Sequence, residues 1–190
     1  MTTPWITPAP VQHDGVVKAA YAAQSLRNNM SLSMHMEAQQ GGDHTQTSNT
    51  VLIDSPQLFL NLAGESLYFV HVLLWYSAGG AGPNIKIGFK GPSDCDIHLR
   101  GASWNESGVF TLGFWSTPQP TTGITQSYNW LASSGSFDQV EARGLVYTVT
   151  AGAFNVQWAQ ANSSVTGTTV QGASHIYTTY ISSNPGLTWE

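Results

Sequence analysis

Hydrophobic and polar residues alternate along most of the chain, with the period of two that is typical of half-buried β-strands. The first such segment, Met30 to Ala38, alternates Met and Leu with Ser, His and Glu. Further strands separated by turn signals are predicted at 50–53, 57–62, 67–77, 84–90, 96–103, 108–115, 140–150, 153–160, 167–171 and 174–182. No helical pattern interrupts this series, so we expect an all-β antiparallel sandwich, of which the jelly roll is a common form.

One predicted strand, "LYFVHVLLWY", is apolar on both faces rather than on one. This composition is typical of a central strand that is buried on both sides. In an oligomer, one face of such a strand can be covered within the subunit and the other by neighbouring subunits. In "FNVQWAQ", Trp158 is in phase with Phe154 and Val156, which predicts a core position for all three.

Residues 1–29 precede the strands and are interpreted as an anchor, separate from a β domain at residues 30–190. Three prolines predict an extended arm over residues 1–13, and an alanine-rich stripe predicts a short helix over residues 14–29. An apolar arm is costly to leave in water, so we favour docking on another protein over a disordered leader. The candidate anchor residues are Trp5, Ile6, Pro8, Val16, Val17 and Tyr21.

Charge is scarce on this chain. Only 9% of its 190 residues are charged, the net charge is −5, and the six Lys and Arg residues are scattered. A nucleic-acid groove is therefore not expected. A weakly charged, hydroxyl-rich surface suits contact with other proteins because little charge must be desolvated on burial. A β-protein with polar loops explains the composition equally well.

The single Cys95 excludes an internal disulfide framework and a zinc site built from cysteines, and we interpret it as an inert small side chain. No apolar run approaches the roughly 18 residues that a membrane-spanning helix requires. The sequence "MTTPWITPAP" lacks the features of a signal peptide, so we expect synthesis in the cytoplasm.

The sequence contains no recognisable catalytic motif, and we expect neither enzymatic activity nor a cofactor. The six histidines lack the pair spacings of a zinc site, so a structural role is favoured for each. Asp94, Asp96 and His98 would share one face of a strand, but they form a weak ligand set, and we expect no metal there. They are the only candidates for an enzyme acting on cell-wall polysaccharide.

Aromatic residues provide the remaining functional signal, because Trp and Tyr stack on sugars and also anchor protein interfaces. Trp104, Tyr128 and Trp130 are predicted at strand ends or in loops and are candidates for a glycan or partner surface, although packing at the core rim explains them equally well. His175 and Tyr177 alternate onto one strand face and are candidates for a trimer contact.

The C-terminal segment "VQWAQANSSVTGTTVQGASHIYTTYI" resembles an ending found in structural proteins of tailed phages that infect actinobacteria. There, a strand ending in W-A-Q is followed by a Ser/Thr/Asn loop, a Thr-Thr-Val piece and a Gly-x-Ser strand. Upstream, "NTVLIDSPQLFLNLAGESLYFVHVLLWYSA" and "IKIGFKGP" are similar to the opening strands of the same group, so the resemblance covers about residues 48–182.

This resemblance implies a jelly roll, similar in outline to trimers of the tumour-necrosis-factor type, carried on a virion. The group includes capsid decoration proteins, head fibres and minor tail proteins. The arm and helix favour a homotrimeric decoration protein that binds the major capsid protein through residues 1–29. The alternative is a minor tail or fibre adhesin that binds host cell-surface glycan.

Overall fold

A computed structural model of the chain describes residues 35–79, 84–104, 110–116, 126–130 and 138–183. These residues form an all-β structure of two antiparallel sheets, with strands numbered β1 to β12 in chain order. The larger sheet contains β1 (His35–Gln39), β2 (His44–Gln46), β4 (Ser66–Ala78), β6 (Cys95–Trp104), β7 (Phe110–Ser116), β9 (Asp138–Thr148), β11 (Thr168–Val170) and β12 (His175–Ser183). The smaller sheet contains β3 (Ile53–Leu62), β5 (Ile85–Lys90), β8 (Gln126–Trp130) and β10 (Gly152–Gln160).

Strands that are distant in sequence are neighbours in both sheets. The large sheet has the order β1-β12-β4-β9-β6-β7, and β11 and β2 extend it beside the C-terminal end of β4. The small sheet has the order β3-β10-β5-β8. The predicted antiparallel sandwich is confirmed, and the arrangement is consistent with a jelly roll.

The core lies between the two sheets. The large sheet contributes Leu74 and Tyr76, and the small sheet contributes Phe89, Phe154 and Trp158, all at most 2% exposed. The rings of Phe89 and Phe154 stack with their centroids 5.9 Å apart. The core positions predicted for Phe154 and Trp158 are therefore confirmed, as the alternation of "FNVQWAQ" indicated.

Strand β4 is central in the large sheet, as predicted, but only one of its faces is fully buried. Val70, Val72 and Leu74 are buried in the core, whereas Phe69 on the opposite face remains 37% exposed. The second apolar face of β4 is thus half-exposed in the single chain.

Three other predictions in the β domain were wrong in their details. Residues 50–52 do not form a strand, and Ile53 instead begins β3. The predicted loop at 39–49 contains β2, and the predicted long loop at 116–138 contains β8. β2 is only three residues long, and it forms by pairing with β11. Its own sequence is too short to show an apolar period. The predicted arm and helix of residues 1–29 lie outside the described residues.

Candidate functional site

The outward side of the large sheet combines apolar side chains with a polar cluster. On β4, the residues facing away from the core are Phe69, His71, Leu73 and Trp75, and all but Phe69 are half-buried. Antiparallel register places His175 opposite Leu73, Tyr177 opposite His71 and Thr179 opposite Phe69. On the other side of β4, register adds Glu141, Arg143 and Leu145 from β9. We call these ten residues the large-sheet outer face.

The centre of the large-sheet outer face is a polar cluster around His71. The Nδ1 atom of His71 is hydrogen bonded with the Tyr177 hydroxyl, and the two rings meet edge to face with their centroids 4.7 Å apart. The Nε2 atom of His71 lies 2.9 Å from Oε1 of Glu141, an ion-pair distance, although its N–H does not point directly at the carboxylate. Arg143 Nη1 lies 3.9 Å from the same oxygen. The cluster thus joins three adjacent strands.

Burial determines the protonation behaviour of His71. Desolvation lowers the pKa of His71 below its ordinary value of 6.5, and the Glu141 carboxylate offsets this only in part. His175 and Arg143 also lower this pKa, because each disfavours a second positive charge nearby. His71 is therefore neutral at pH 7, and its side chain is only 18% exposed.

His175 and Tyr177, predicted as trimer contacts, both lie on the large-sheet outer face. Their rings stack with a centroid distance of 6.2 Å and an interplanar angle of 16°. The Nδ1 atom of His175 also lies 3.2 Å from the carbonyl oxygen of Ala173. The predicted shared orientation of the two residues is confirmed, and their role in a trimer stays a prediction.

The outward side of the small sheet is different in character. Asp54 Oδ1 accepts a hydrogen bond of 2.5 Å from Gln157 Nε2, and Asp54 Oδ2 accepts one of 3.2 Å from Lys90 Nζ. Lys86 Nζ donates to the Thr50 carbonyl oxygen at 2.8 Å. We call Asp54, Phe59, Asn61, Lys86, Lys90, Asn155 and Gln157 the small-sheet outer face. Its charges are engaged with groups of the same chain.

The candidate metal or acid set at Asp94, Asp96 and His98 does not lie along a single strand. Asp94 has a φ of 56° and occupies the turn before β6, whereas Asp96 and His98 lie within β6. The expectation that all three would share a strand face was therefore wrong, because the strand begins at Cys95. Among the described residues, no three His, Cys, Asp or Glu side chains are grouped so that they could hold a metal ion.

Cys95 is a buried free thiol at the start of β6. Burial, with a smaller contribution from Asp96, raises the pKa of Cys95 to about 12. A thiol with so high a pKa stays protonated at neutral pH and is a poor nucleophile. This agrees with its interpretation as an inert small side chain.

The aromatic residues predicted for a glycan or partner surface are divided between the sheets. The backbone of Trp104 ends β6 in the large sheet, while Tyr128 and Trp130 belong to β8 in the small sheet. The side chains of these three residues lie outside the described part of the structure, as do the anchor candidates Trp5, Ile6, Pro8, Val16, Val17 and Tyr21. Their predicted roles are therefore untested.

Sequence reasoning missed Glu141 and Arg143, although both lie beside His71. In the sequence, the only indication was that Glu141 and Arg143 alternate with buried residues of the predicted strand 140–150. That pattern indicates that both face outward, but not what lies beside them. Only the register between β4 and β9 places them next to His71 and Leu73.

In the described ranges, no helix has the length and apolar character needed to cross a membrane. No protein-family model matches the chain, and no curated protein matches its sequence.

Solved structures show distant similarity. The xylanase 10B CBM22-1–GH10 modules of Clostridium thermocellum, complexed with xylohexaose, align at 10% identity and a TM-score of 0.29, over 80% of this chain and 28% of that chain. A VP2 protein of infectious bursal disease virus in derived T=1 particles aligns at 10% identity and a TM-score of 0.24, over 81% of this chain and 41% of that chain. The chain spans less than half of either protein. At these scores, the similarities assign it neither family nor function.

Proposed function

We propose that this protein is a non-enzymatic structural component of a phage virion, namely a homotrimeric capsid decoration protein. It is made in the host cytoplasm and acts by adhesion. Residues 1–29, with Trp5 and Ile6 in the arm, bind the major capsid protein, and the β domain trimerises and projects from the shell. The sequence resemblance over about residues 48–182 supports the virion assignment.

The observation that carries this proposal is the large-sheet outer face. It presents aromatic and aliphatic side chains such as Phe69, Leu73 and Trp75 on the outside of a chain with only 9% charged residues. An extended apolar surface of this kind marks a place for contact with protein. His71, Tyr177 and Glu141 contact one another within this surface, so its polar groups are already engaged while its apolar side chains are left for contact with protein.

The experiment measures attachment to phage heads assembled without this protein. Wild-type protein and a form lacking residues 2–13 are mixed with such heads, and occupancy is determined after sedimentation. We expect the truncated protein to remain a folded trimer and to lose attachment, because the arm supplies the docking residues. Full occupancy by the truncated protein would show that the arm is not the anchor.

A matched pair of variants sharpens the result. Trp5→Ala with Ile6→Ala removes the apolar side chains of the arm, whereas Thr2→Ala with Thr3→Ala changes the same arm without removing large apolar groups. We expect only the first pair to reduce attachment. Binding to purified host cell wall instead of heads would favour the tail or fibre adhesin.

A further inference from the structure

We infer that the large-sheet outer face is the surface on which a second copy of this chain docks, and that Arg143 of one copy pairs with Glu141 of the next. This inference rests on the proposed homotrimer and specifies its contact surface. It goes beyond the candidate residues His175 and Tyr177 because it assigns the centre of the interface to β4 and β9.

The large-sheet outer face is partly apolar. Phe69 is 37% exposed, and Ile181, near the same end of the sheet on β12, is 49% exposed. Leu73, Trp75 and Leu145 remain half-buried although each faces away from the core. Association that covers these side chains removes apolar area from water, which is the main favourable contribution to protein–protein contact.

The strand spacing sets the area of this surface. The face and its flanks on β1 and β6 together span five adjacent strands, which are spaced about 4.8 Å apart and give a width of roughly 24 Å. From Phe69 to Trp75, the face extends about 20 Å along β4, so the flat area of the face with its flanks is roughly 500 Å² before side-chain relief is counted. A standard protein interface buries about 800 Å² on each partner. The face and its flanks thus supply more than half of the area that a stable contact requires.

Charged side chains of both signs lie on this side of the large sheet. The face and its flanks on β1 and β6 carry three carboxylates, Glu37, Asp96 and Glu141, and two guanidinium groups, Arg100 and Arg143. Both signs are therefore present in near balance, although the whole chain has a net charge of −5. A copy of the same surface meets it without strong like-charge repulsion, whereas a strongly acidic or basic partner finds no matching patch.

Glu141 and Arg143 on β9 form a charge pair whose two members differ in exposure. The Arg143 side chain is 70% exposed and only 3.9 Å from Glu141, whose side chain is 27% exposed. Arg143 can therefore extend toward a neighbour while Glu141 stays fixed near His71. In a closed ring, each copy offers its Arg143 to the next copy and receives an Arg143 at its own Glu141.

The polar cluster at the centre of the face is compatible with being covered. Nδ1 of His71 is hydrogen bonded with Tyr177, and Nε2 lies at ion-pair distance from Glu141, so both ring nitrogens keep a polar neighbour when the face is covered.

The primary test compares two phenylalanines of nearly equal exposure on opposite sides of the molecule. Phe69 on the large sheet is 37% exposed, and Phe59 on the small sheet is 39% exposed. Phe69→Asp is expected to weaken self-association about 100-fold or more, whereas Phe59→Asp leaves it unchanged. Association is measured by sedimentation equilibrium over a wide concentration range, and circular dichroism verifies that both variants are folded.

A charge exchange tests the specific pair and remains informative if Phe69→Asp fails to fold. Arg143→Glu alone and Glu141→Arg alone are each expected to weaken association, because each places like charges at positions 141 and 143 of every contact. In an equimolar mixture, contacts between unlike variants bring opposite charges together. A ring of three retains one contact between like variants, so the rescue in the mixture is partial.

The double variant, Glu141→Arg with Arg143→Glu, completes the exchange. It places opposite charges at every contact of the ring, so it is expected to associate more tightly than either single variant. Sedimentation equilibrium under the same conditions compares the three variants with the wild type.

Several outcomes would overturn the inference. These are a wild-type protein that stays monomeric at high concentration, equal effects of Phe69→Asp and Phe59→Asp, or a double variant that associates no better than the single ones. A monomer that binds cell-wall polysaccharide through Phe69 would assign the face to glycan instead. If the protein decorates heads as a monomer, this inference is wrong and the proposed capsid binding is retained. If it forms a trimer that does not bind heads, the proposed capsid binding is wrong and this inference is retained.

Discussion

The two outer faces of the sandwich are built from the same kind of strand but present different surfaces. On the small sheet, Gln157 and Lys90 both donate to the Asp54 carboxylate, so these three polar groups are paired within the chain. On the large sheet, apolar residues surround one polar cluster centred on His71. The outward residues of each strand, rather than the core that the sheets share, therefore decide how the polar groups of each face are paired.

The largest effect is expected from Gly144→Ala in β9. A Cβ atom at this position would overlap the carbonyl oxygen of His98 and would lie 3.0 Å from Leu99 Cα, so the backbone of β6 would have to move. We expect a loss of about 2–3 kcal/mol in the free energy of unfolding, measured by urea denaturation. Gly42→Ala is the control, since nothing lies within 4 Å of its added Cβ. Equal stability of the two variants would contradict the tight contact between β6 and β9.

A smaller effect is expected from Asp54→Ala on the small-sheet outer face. This change removes the acceptor for Gln157 Nε2, and Gln157 is only 6% exposed, so we expect a loss of about 1 kcal/mol in the free energy of unfolding. Glu37→Ala, at an exposed position on the large sheet, is expected to change stability by less than about 0.5 kcal/mol. Urea denaturation measures the free energy of unfolding of both variants. A larger loss of stability for Glu37→Ala than for Asp54→Ala would contradict the prediction.

The smallest expected effect is a dependence of the free energy of unfolding on pH, which arises from His71 in the large sheet. Burial lowers the pKa of His71 in the folded chain, so the unfolded chain binds more protons as the pH falls below 6.5. Stability contributed by neutral His71 is therefore present above pH 6.5 and is lost as the pH falls toward the folded-state pKa. Tyr177 and His175 on β12 and Glu141 and Arg143 on β9 face this ring.

His71→Gln is expected to flatten the dependence of unfolding free energy on pH between neutral and mildly acidic conditions. The measurement is a series of urea denaturation curves at several pH values. The described strands of the small sheet contain no histidine, so no comparable slope is expected from that side. An unchanged slope in the variant would assign the pH dependence to other groups.

Much of the fold followed from alternation alone. The predicted strands at 67–77 and 96–103 coincide with β4 and β6 to within one residue at each end. β6 alternates apolar and polar residues, and β4 is a nearly continuous apolar run bounded by turn signals, and both patterns are typical of strands. β2 and β8 were not predicted as strands. β2 is short and polar and is stabilised by its partner β11, so its own sequence carried too little signal.

The candidate site was predicted only in part. His175 and Tyr177 share a face because they are two residues apart on one strand, and the sequence was sufficient for that. Glu141 and Arg143 join His71 only through the pairing of β9 with β4. Such a pairing depends on contacts between distant segments and cannot be derived from either segment alone.

The sequence by itself determined the strand period, the all-β class and the core positions of Phe154 and Trp158, because these depend on local alternation and apolar character. The tertiary structure decided which apolar face of β4 was buried and which neighbours surrounded His71. The physical reason is that burial and ion pairing depend on what lies across the sheet and between the sheets, and strand order and register set both.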